Sequence, residues 1–405
     1  LREVLSDAEA ELVIAVYNVT ELGNFEGSNI LNLSKPLVDH EQQRGGNFLA
    51  TLDEILYKLY LAREQRIHPL RDDKLIVAWT GAMVTTLIRA GFQLGNSEWV
   101  QAAERAVRFV CQQNIDEQGR LRRVHLHGAS SIDGQLEDYA NLAQALIALF
   151  DVTSTRDYLE QAVSLMDVVM ADFWDGEQAG FFLGGQNQPG SQLARSRNAG
   201  DGATLSAVAI ALDCLVKLKQ RSALPDAQHD ALFYAARIDA AIASVTGRID
   251  EHPMSHTSLL RIIDEYGSNS LDLIQYAGNG LARISIRHLK QVSDRELLID
   301  ISLNIEDGWH ITAPQQATGS IVPLELRVAN RELFWQLQEP AYPGANKILQ
   351  HEQAEIQIYE NELAFTLTLT RSEMPDDSLS ASLVLELELQ LCDDRQCLLP
   401  ETLQF

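Results

Sequence analysis

From residue 47 onward the apolar positions fall at helical spacing. Leu49, Leu52, Ile55, Leu56 and Leu59 share one face, and the pattern runs toward Arg66 before Pro69 breaks it. The next stretch, Lys74 to Gly91, is apolar on all sides (Leu75, Ile76, Val77, Ala78, Trp79, Met83, Val84, Leu87, Ile88). Ser97 to Gln113 is two-faced, with Glu104, Arg105 and Arg108 on its wet side. The contrast then repeats: 136 to 150 is greasy all round and Asp157 to Asp172 is amphipathic, then Gly202 to Leu218 is greasy and Ala227 to Val245 amphipathic. A helix apolar on every side must be packed on every side, and a two-faced one meets solvent. Inner and outer helices in alternation predict a double layer of hairpins. The period is too long and irregular for a short-repeat solenoid, so the prediction is an α/α-toroid.

Near residue 280 the period changes from 3.6 to 2. Leu297, Ile299, Ile301 and Leu303 alternate with polar residues, as do Val322, Leu324, Leu326 and Val328, then Phe365, Leu367 and Leu369. Leu383, Leu385, Leu387, Leu389 and Leu391 give the longest alternation. Short half-buried strands between turn residues predict an antiparallel sandwich. Gly, Ser and Asn cluster between Gly267 and Gly280, which places a toroid domain at 1–270 and a sandwich domain at 283–405.

Charge narrows the partners. Asp and Glu total 57 against 32 Lys and Arg, a net charge of -25. Such a surface repels phosphate backbones and anionic lipid, so no nucleic-acid partner is expected. The apolar run Leu142 to Phe150 is interrupted by Gln144 and is far shorter than the ~20 residues of a membrane helix, so no membrane span is expected either. The chain opens on Leu1, within a helical pattern, which suggests a longer parent. Of four cysteines, Cys111 and Cys214 lie on helical apolar faces and read as buried core thiols. No His-x-x-x-His or Cys-rich cluster calls for a metal, and no cofactor is implied.

Several motifs in the helical part occur in one order: Gly23-Asn24-Phe25-Glu26-Gly27, Ala62-Arg63-Glu64-Gln65-Arg66 with Pro69, Arg71-Asp72-Asp73-Lys74, Leu136-Glu137-Asp138-Tyr139-Ala140, Phe173-Trp174-Asp175 with Gly180-Phe181-Phe182, and Arg195 with Asp201-Gly202-Ala203. Together they resemble the spermatogenesis-associated, thioredoxin-domain family, including its bacterial YyaL-type members. The resemblance implies a six-hairpin, glycosidase-like toroid similar to that of the N-acylglucosamine 2-epimerases, preceded in the family by a thioredoxin-like domain. That domain and the first hairpins are not in this chain, so the toroid is expected to be incomplete, either a fragment or a shrunken ring. Trp79-Thr80-Gly81 replaces the family's Trp-Asn-Gly, and Leu205-Ser206-Ala207-Val208 replaces a Pro-Ser-Gly-Asn run.

In such rings the starts of the inner helices converge on a cavity. Asp72 and Asp73, Glu137 and Asp138, and Asp201 each precede a predicted inner helix. Two readings fit each carboxylate. Asp73, Asp138 and Asp201 can act as acid and base on a sugar, with Trp79, Tyr139, Phe181 and Phe182 stacking on the ligand and Arg195 holding an anion. Alternatively the carboxylates cap helices and the aromatics fill the core. His125 and His127 are further proton-transfer candidates that no motif aligns with the epimerases' histidines.

Cys392-Asp393-Asp394-Arg395-Gln396-Cys397 follows the last strong strand and precedes Leu398-Leu399-Pro400. With Gly308-Trp309-His310-Ile311, Pro323 and Tyr342-Pro343, it resembles the N-terminal domain of the thiol:disulfide interchange protein DsbD, over about residues 283 to 405. The resemblance implies an immunoglobulin-like sandwich in the periplasm, or otherwise exported, with Cys392 and Cys397 as a redox pair. A structural disulfide or two idle thiols remain open beside it. The leading expectation is thiol–disulfide exchange with a thioredoxin-like domain or protein. A carbohydrate-processing enzyme with a sugar ligand is the alternative, and a non-catalytic binding scaffold the second; the replaced asparagines suit that last reading.

Overall fold

The computed structural model describes the chain except residues 187–194, 225–226, 268–271, 294, 315–320, 330–334, 352–353 and 372–382. Residues 268–271, within the Gly-Ser-Asn cluster at the expected boundary, thus lie outside the described residues. The chain divides into two compact units, Leu1–Asp73 and Lys74–Phe405. The first holds α1 (Asp7–Val16), α2 (Leu37–Arg44) and α3 (Phe48–Glu64). Ser6 caps α1 in a reciprocal box with Glu9, so the chain enters this helix after Leu1 rather than within it. Ala10, Val13 and Ile55 form one small core of this unit, and Val16, Phe48 and Leu52 another.

The second unit opens with β1 (Leu75–Ile76), where the sequence predicts helix. Leu75 and Ile76 instead pair with His125 and Val124 of β2 (Arg122–Leu126), which turns back through β3 (Ala129–Asp133). His127 (φ 50°) and Gly128 (φ 79°) form the tight turn between them, the doubly positive geometry of a two-residue hairpin. The hairpins follow as α4 (Val77–Gln93) with α5 (Ser97–Asn114), α6 (Leu136–Thr153) with α7 (Arg156–Asp172), and α8 (Ala207–Lys219) with α9 (Ala231–Glu251), then α10 (Thr257–Gly267). Helices α4, α6, α8 and α10 pack in succession as an inner layer, and α5, α7 and α9 lie outside their partners. This is the toroid-type double layer that the alternation implies. Gly81 sets the α4–α6 crossing: a methyl on it would stand 2.7 Å from the Asn141 carbonyl carbon. Only a bare backbone allows that approach.

The predicted start of α8 at Gly202 is five residues early. Ser206 is the cap, its hydroxyl accepting from the Ala209 N–H, and Asp201 holds the Ser206 N–H at 3.0 Å.

After Tyr276 the buried residues belong to a separate core, made by the strands. A five-stranded sheet runs in the order β4 (Ile274–Ala277), β5 (Ala282–Ser293), β6 (Glu296–Ile305), β12 (Glu362–Arg371), β9 (Trp335–Leu337). Its inner residues, among them Ile299, Leu303, Leu363 and Leu367, meet a second layer of two pieces. One piece is β10 (Lys347–His351), β11 (Ala354–Glu360), β7 (His310–Thr312), β14 (Leu391–Cys392); the other is β15 (Glu401–Gln404), β13 (Leu385–Leu389), β8 (Glu325–Val328). The result is an antiparallel sandwich.

The alternation from Leu383 to Leu391 suggests one strand, but the chain changes partners at Gln390. That side chain accepts from the Val322 N–H at 2.8 Å and donates to the Leu398 carbonyl at 2.8 Å. Here β13 ends and β14 begins beside β7. Asp151, in the last turn of α6, joins the helices to the sandwich. Its carboxylate accepts from Arg221 at 2.6 Å and Tyr276 at 3.0 Å, and its carbonyl accepts from Arg283.

Candidate functional site

At the helix starts, polar side chains are held by backbone groups. Asp138 is fully buried. One of its oxygens accepts the Ala78 N–H at 3.0 Å; the other accepts the Gln135 N–H at 2.9 Å and Arg123 at 2.8 Å. Burial pushes its carboxyl upward while those donors pull it back. One carboxylate thus caps its own helix and ties α6 to the first turn of α4. Glu137 shares Arg123 at 2.5 Å.

Asp201 makes a similar knot. It accepts from Ser206 N–H, Ser258 N–H at 2.9 Å, Thr257 Oγ1 at 3.2 Å and Ser258 Oγ, joining the starts of α8 and α10. Burial alone would raise its carboxyl, but the donors outweigh it and hold the group below the ordinary aspartate range. Asp72 and Asp73 belong to the other compact unit; both are exposed, and Asp73 pairs with Arg71.

The remaining helical candidates separate. Trp79, in the first turn of α4, is 60% exposed. Tyr139 is buried with its hydroxyl accepting the Leu121 N–H at 2.8 Å, and Phe181 is buried edge-on to Trp174. Phe182 lies under the Arg195 guanidinium at 3.9 Å. Arg195 donates to the carbonyls of Gly184 and Asp172, so its hydrogens serve the backbone of this turn. His125 contacts Ser130 Oγ at 2.9 Å and the edge of Phe109, whereas His127 sits exposed at the hairpin turn. Cys214 is buried and Cys111 half-buried; burial pushes both thiols up, Cys111 to about 11, so neither is a ready nucleophile.

The end of the sandwich differs. Cys392 and Cys397 are joined by a disulfide, five residues apart in sequence, with Cα atoms 4.0 Å apart. The bend between them is built by Asp393, whose Oδ1 accepts the N–H groups of Arg395 at 2.8 Å and Gln396 at 2.7 Å. Those bonds hold the Asp393 carboxyl below its ordinary range. Cys392 is 3% exposed, on β14, whereas Cys397 is exposed at the end of the bend. Of the two, Cys397 is the residue open to a thiolate approaching from solvent, and Cys392 is the one placed to be the leaving group in such an attack.

Beside the pair, in register on β7, lies His310 (8% exposed), and beyond it, on β11, Glu360. Burial holds the His310 imidazole below its ordinary range, with Glu360 pulling the other way. The Gly-Trp-His segment marks this strand in the sequence. Glu360 carries no sequence signal, because its place depends on strand register.

No protein-family profile matches the chain. Among curated proteins, spermatogenesis-associated protein 20 of Rattus norvegicus is 29% identical over 231 residues, covering 51% of this chain and 29% of that protein. The Homo sapiens protein of that name is 28% identical over 230 residues with the same coverage. The chain resembles this group of proteins. It matches less than a third of their length. Among solved structures, cellobiose 2-epimerase from Spirochaeta thermophila covers 44% of this chain and 44% of its own, with 16% identity and a TM-score of 0.34. The N-terminal domain of Neisseria meningitidis DsbD, in reduced form, covers 28% of this chain and 77% of its own, with 15% identity and a TM-score of 0.20.

Proposed function

We propose that this chain takes part in thiol–disulfide exchange through Cys392 and Cys397. The observation that carries this reading is the asymmetry of the pair: an exposed cysteine bonded to a buried one across a bend pre-shaped by Asp393. A purely structural staple needs no accessible sulfur, whereas exchange requires one to receive the attacking thiolate. The two-electron partner is a thioredoxin-like domain or protein, and the compartment is an oxidising one such as the periplasm, where a disulfide persists. The helical layers serve as scaffold in this reading. A sugar-processing role for Asp138 and Asp201 is not favoured, because each carboxylate is engaged by donors from two helix starts.

The test is a trapping experiment. With Cys392→Ser, Cys397 has no resolving neighbour, so a mixed disulfide with an oxidised thioredoxin-fold protein should accumulate on a non-reducing gel. With Cys397→Ser, the buried Cys392 should trap little. Equal trapping by both variants, or by neither, overturns the proposal.

A further inference from the structure

Three adjacent strands of the sandwich carry a row of side chains that the cysteines alone do not explain. In the β11–β7 pairing Glu360 stands opposite His310, and in the β7–β14 pairing His310 stands opposite Cys392. Directly opposed residues on antiparallel strands project to the same face, with Cβ atoms about 4.5–5.5 Å apart. The alternate row, Tyr359, Ile311 and Leu391, is buried in the sandwich core, which places Glu360, His310 and Cys392 together on the other face. Carboxylate, imidazole and thiol thus follow one another across the sheet, the order in which an orienting acid, a base and a sulfur nucleophile are arranged in thiol enzymes.

We propose that His310 is the base that takes the proton from Cys392, and that Glu360 positions it. The inference rests on the exchange reading above and concerns its second half. In the reduced pair, the exposed Cys397 thiolate attacks a partner disulfide. One sulfur of that disulfide leaves as a thiolate and takes a proton from water, and Cys397 is left in a mixed disulfide. Cys392 then gives its proton to the imidazole, its thiolate attacks the Cys397 sulfur, and the Cys392–Cys397 bond forms as the bond to the partner breaks. The pair loses two electrons and two protons, which the partner disulfide gains. The departing partner thiolate recovers its proton from the imidazolium or from water.

Cys392 needs such help more than Cys397 does. It is 3% exposed, so water cannot readily accept its proton and burial opposes its thiolate. The charged groups around His310 are Glu360 on β11, Lys347 on β10, which pairs with Glu360 at 2.7 Å, and Asp393 and Asp394 on the bend after β14. The acidic groups favour the imidazolium; Lys347 and burial oppose it. The imidazole is therefore neutral at pH 7 and able to accept a proton.

The test uses the reduced full chain and oxidised glutathione, with acid quenching and mass spectrometry to separate two rates: formation of the Cys397–glutathione mixed disulfide and its resolution. In the wild type the resolution rate should rise with pH to a plateau whose midpoint lies below the ordinary histidine value. His310→Gln should slow resolution at pH 7 by about 10²-fold, the usual scale of a positioned base, and abolish the plateau, so that the rate climbs toward the thiol range. The formation rate should stay unchanged. Glu360→Gln should move the midpoint to lower pH, since an anion that favours imidazolium is gone. If His310→Gln resolves within twofold of the wild type with the same profile, the inference is overturned. Should that variant not fold, an unmoved midpoint in Glu360→Gln overturns it instead. A wild-type chain that forms no mixed disulfide removes the exchange reading itself, and the row's role falls with it.

Discussion

In the helical layers Asp138 is fully buried among three donors, and Asp201 is held by the starts of two helices. At the rim of the sandwich Cys397 stands in solvent, while its partner five residues earlier is 3% exposed beside His310, whose imidazole burial holds below its ordinary range. Both regions contain residue types that perform chemistry. They differ in what those residues are bonded to. A carboxylate whose lone pairs are filled by backbone N–H groups contributes stability, and moving it to meet a substrate would orphan those donors. A sulfur on an exposed bend is held by one exchangeable bond. In the proposed reading, reactivity belongs to the smaller region, even though the larger one carries more of the expected site residues.

The comparison can be broken at several points. The largest effect should come from Cys397→Ser, which removes exchange altogether in a turnover assay with a thioredoxin-fold partner while leaving the helical layers intact by circular dichroism. Asp138→Ala should do the reverse. Exchange by the folded fraction should persist, but the urea midpoint should fall by the equivalent of about 2–5 kcal/mol, because the Ala78 and Gln135 N–H groups lose their partner in a buried setting while Arg123 keeps only Glu137. Gly81→Ala should cost about 1–3 kcal/mol by the same measurement, since the new methyl meets the Asn141 backbone and the α4–α6 pair must move apart.

A smaller effect is expected in acid. Asp201 is held below its ordinary range, so its contribution is complete at neutral pH and disappears as pH falls from the ordinary aspartate value through the folded one. Asp201→Asn should therefore lower stability at pH 7 and matter progressively less below about pH 3.9, as thermal melts across that range would show. A constant difference at every pH would contradict the capping role. Smallest of all, Ser6→Ala should cost the first unit about 1 kcal/mol by losing the α1 cap.

Much of the architecture was legible in the chain. Residues 136 to 150 announce an inner helix because no face of them is polar, and Leu385, Leu387 and Leu389 announce a half-buried strand. The duties of the carboxylates were less legible. Asp138 binds the N–H of Ala78, and Asp201 that of Ser258, each dozens of residues away. A sequence shows which residues can cap a helix but not which distant helix start comes within reach. The same limit hid the row at the thiol end. Cys392 and Gly308-Trp309-His310 could be singled out, but their alignment with Glu360 follows from strand register and from the partner change at Gln390. The predicted strand from Leu383 through Leu391 missed that break because Gln390 is polar in an otherwise regular alternation.

The most direct test of the contrast between an engaged scaffold and a reactive rim is the reduction potential of Cys392–Cys397, measured by equilibrating the full chain in glutathione buffers and quantifying free thiols. The account predicts a value within the range of exchanging pairs, about −180 to −270 mV. A value below about −300 mV would make the pair a permanent staple and contradict it.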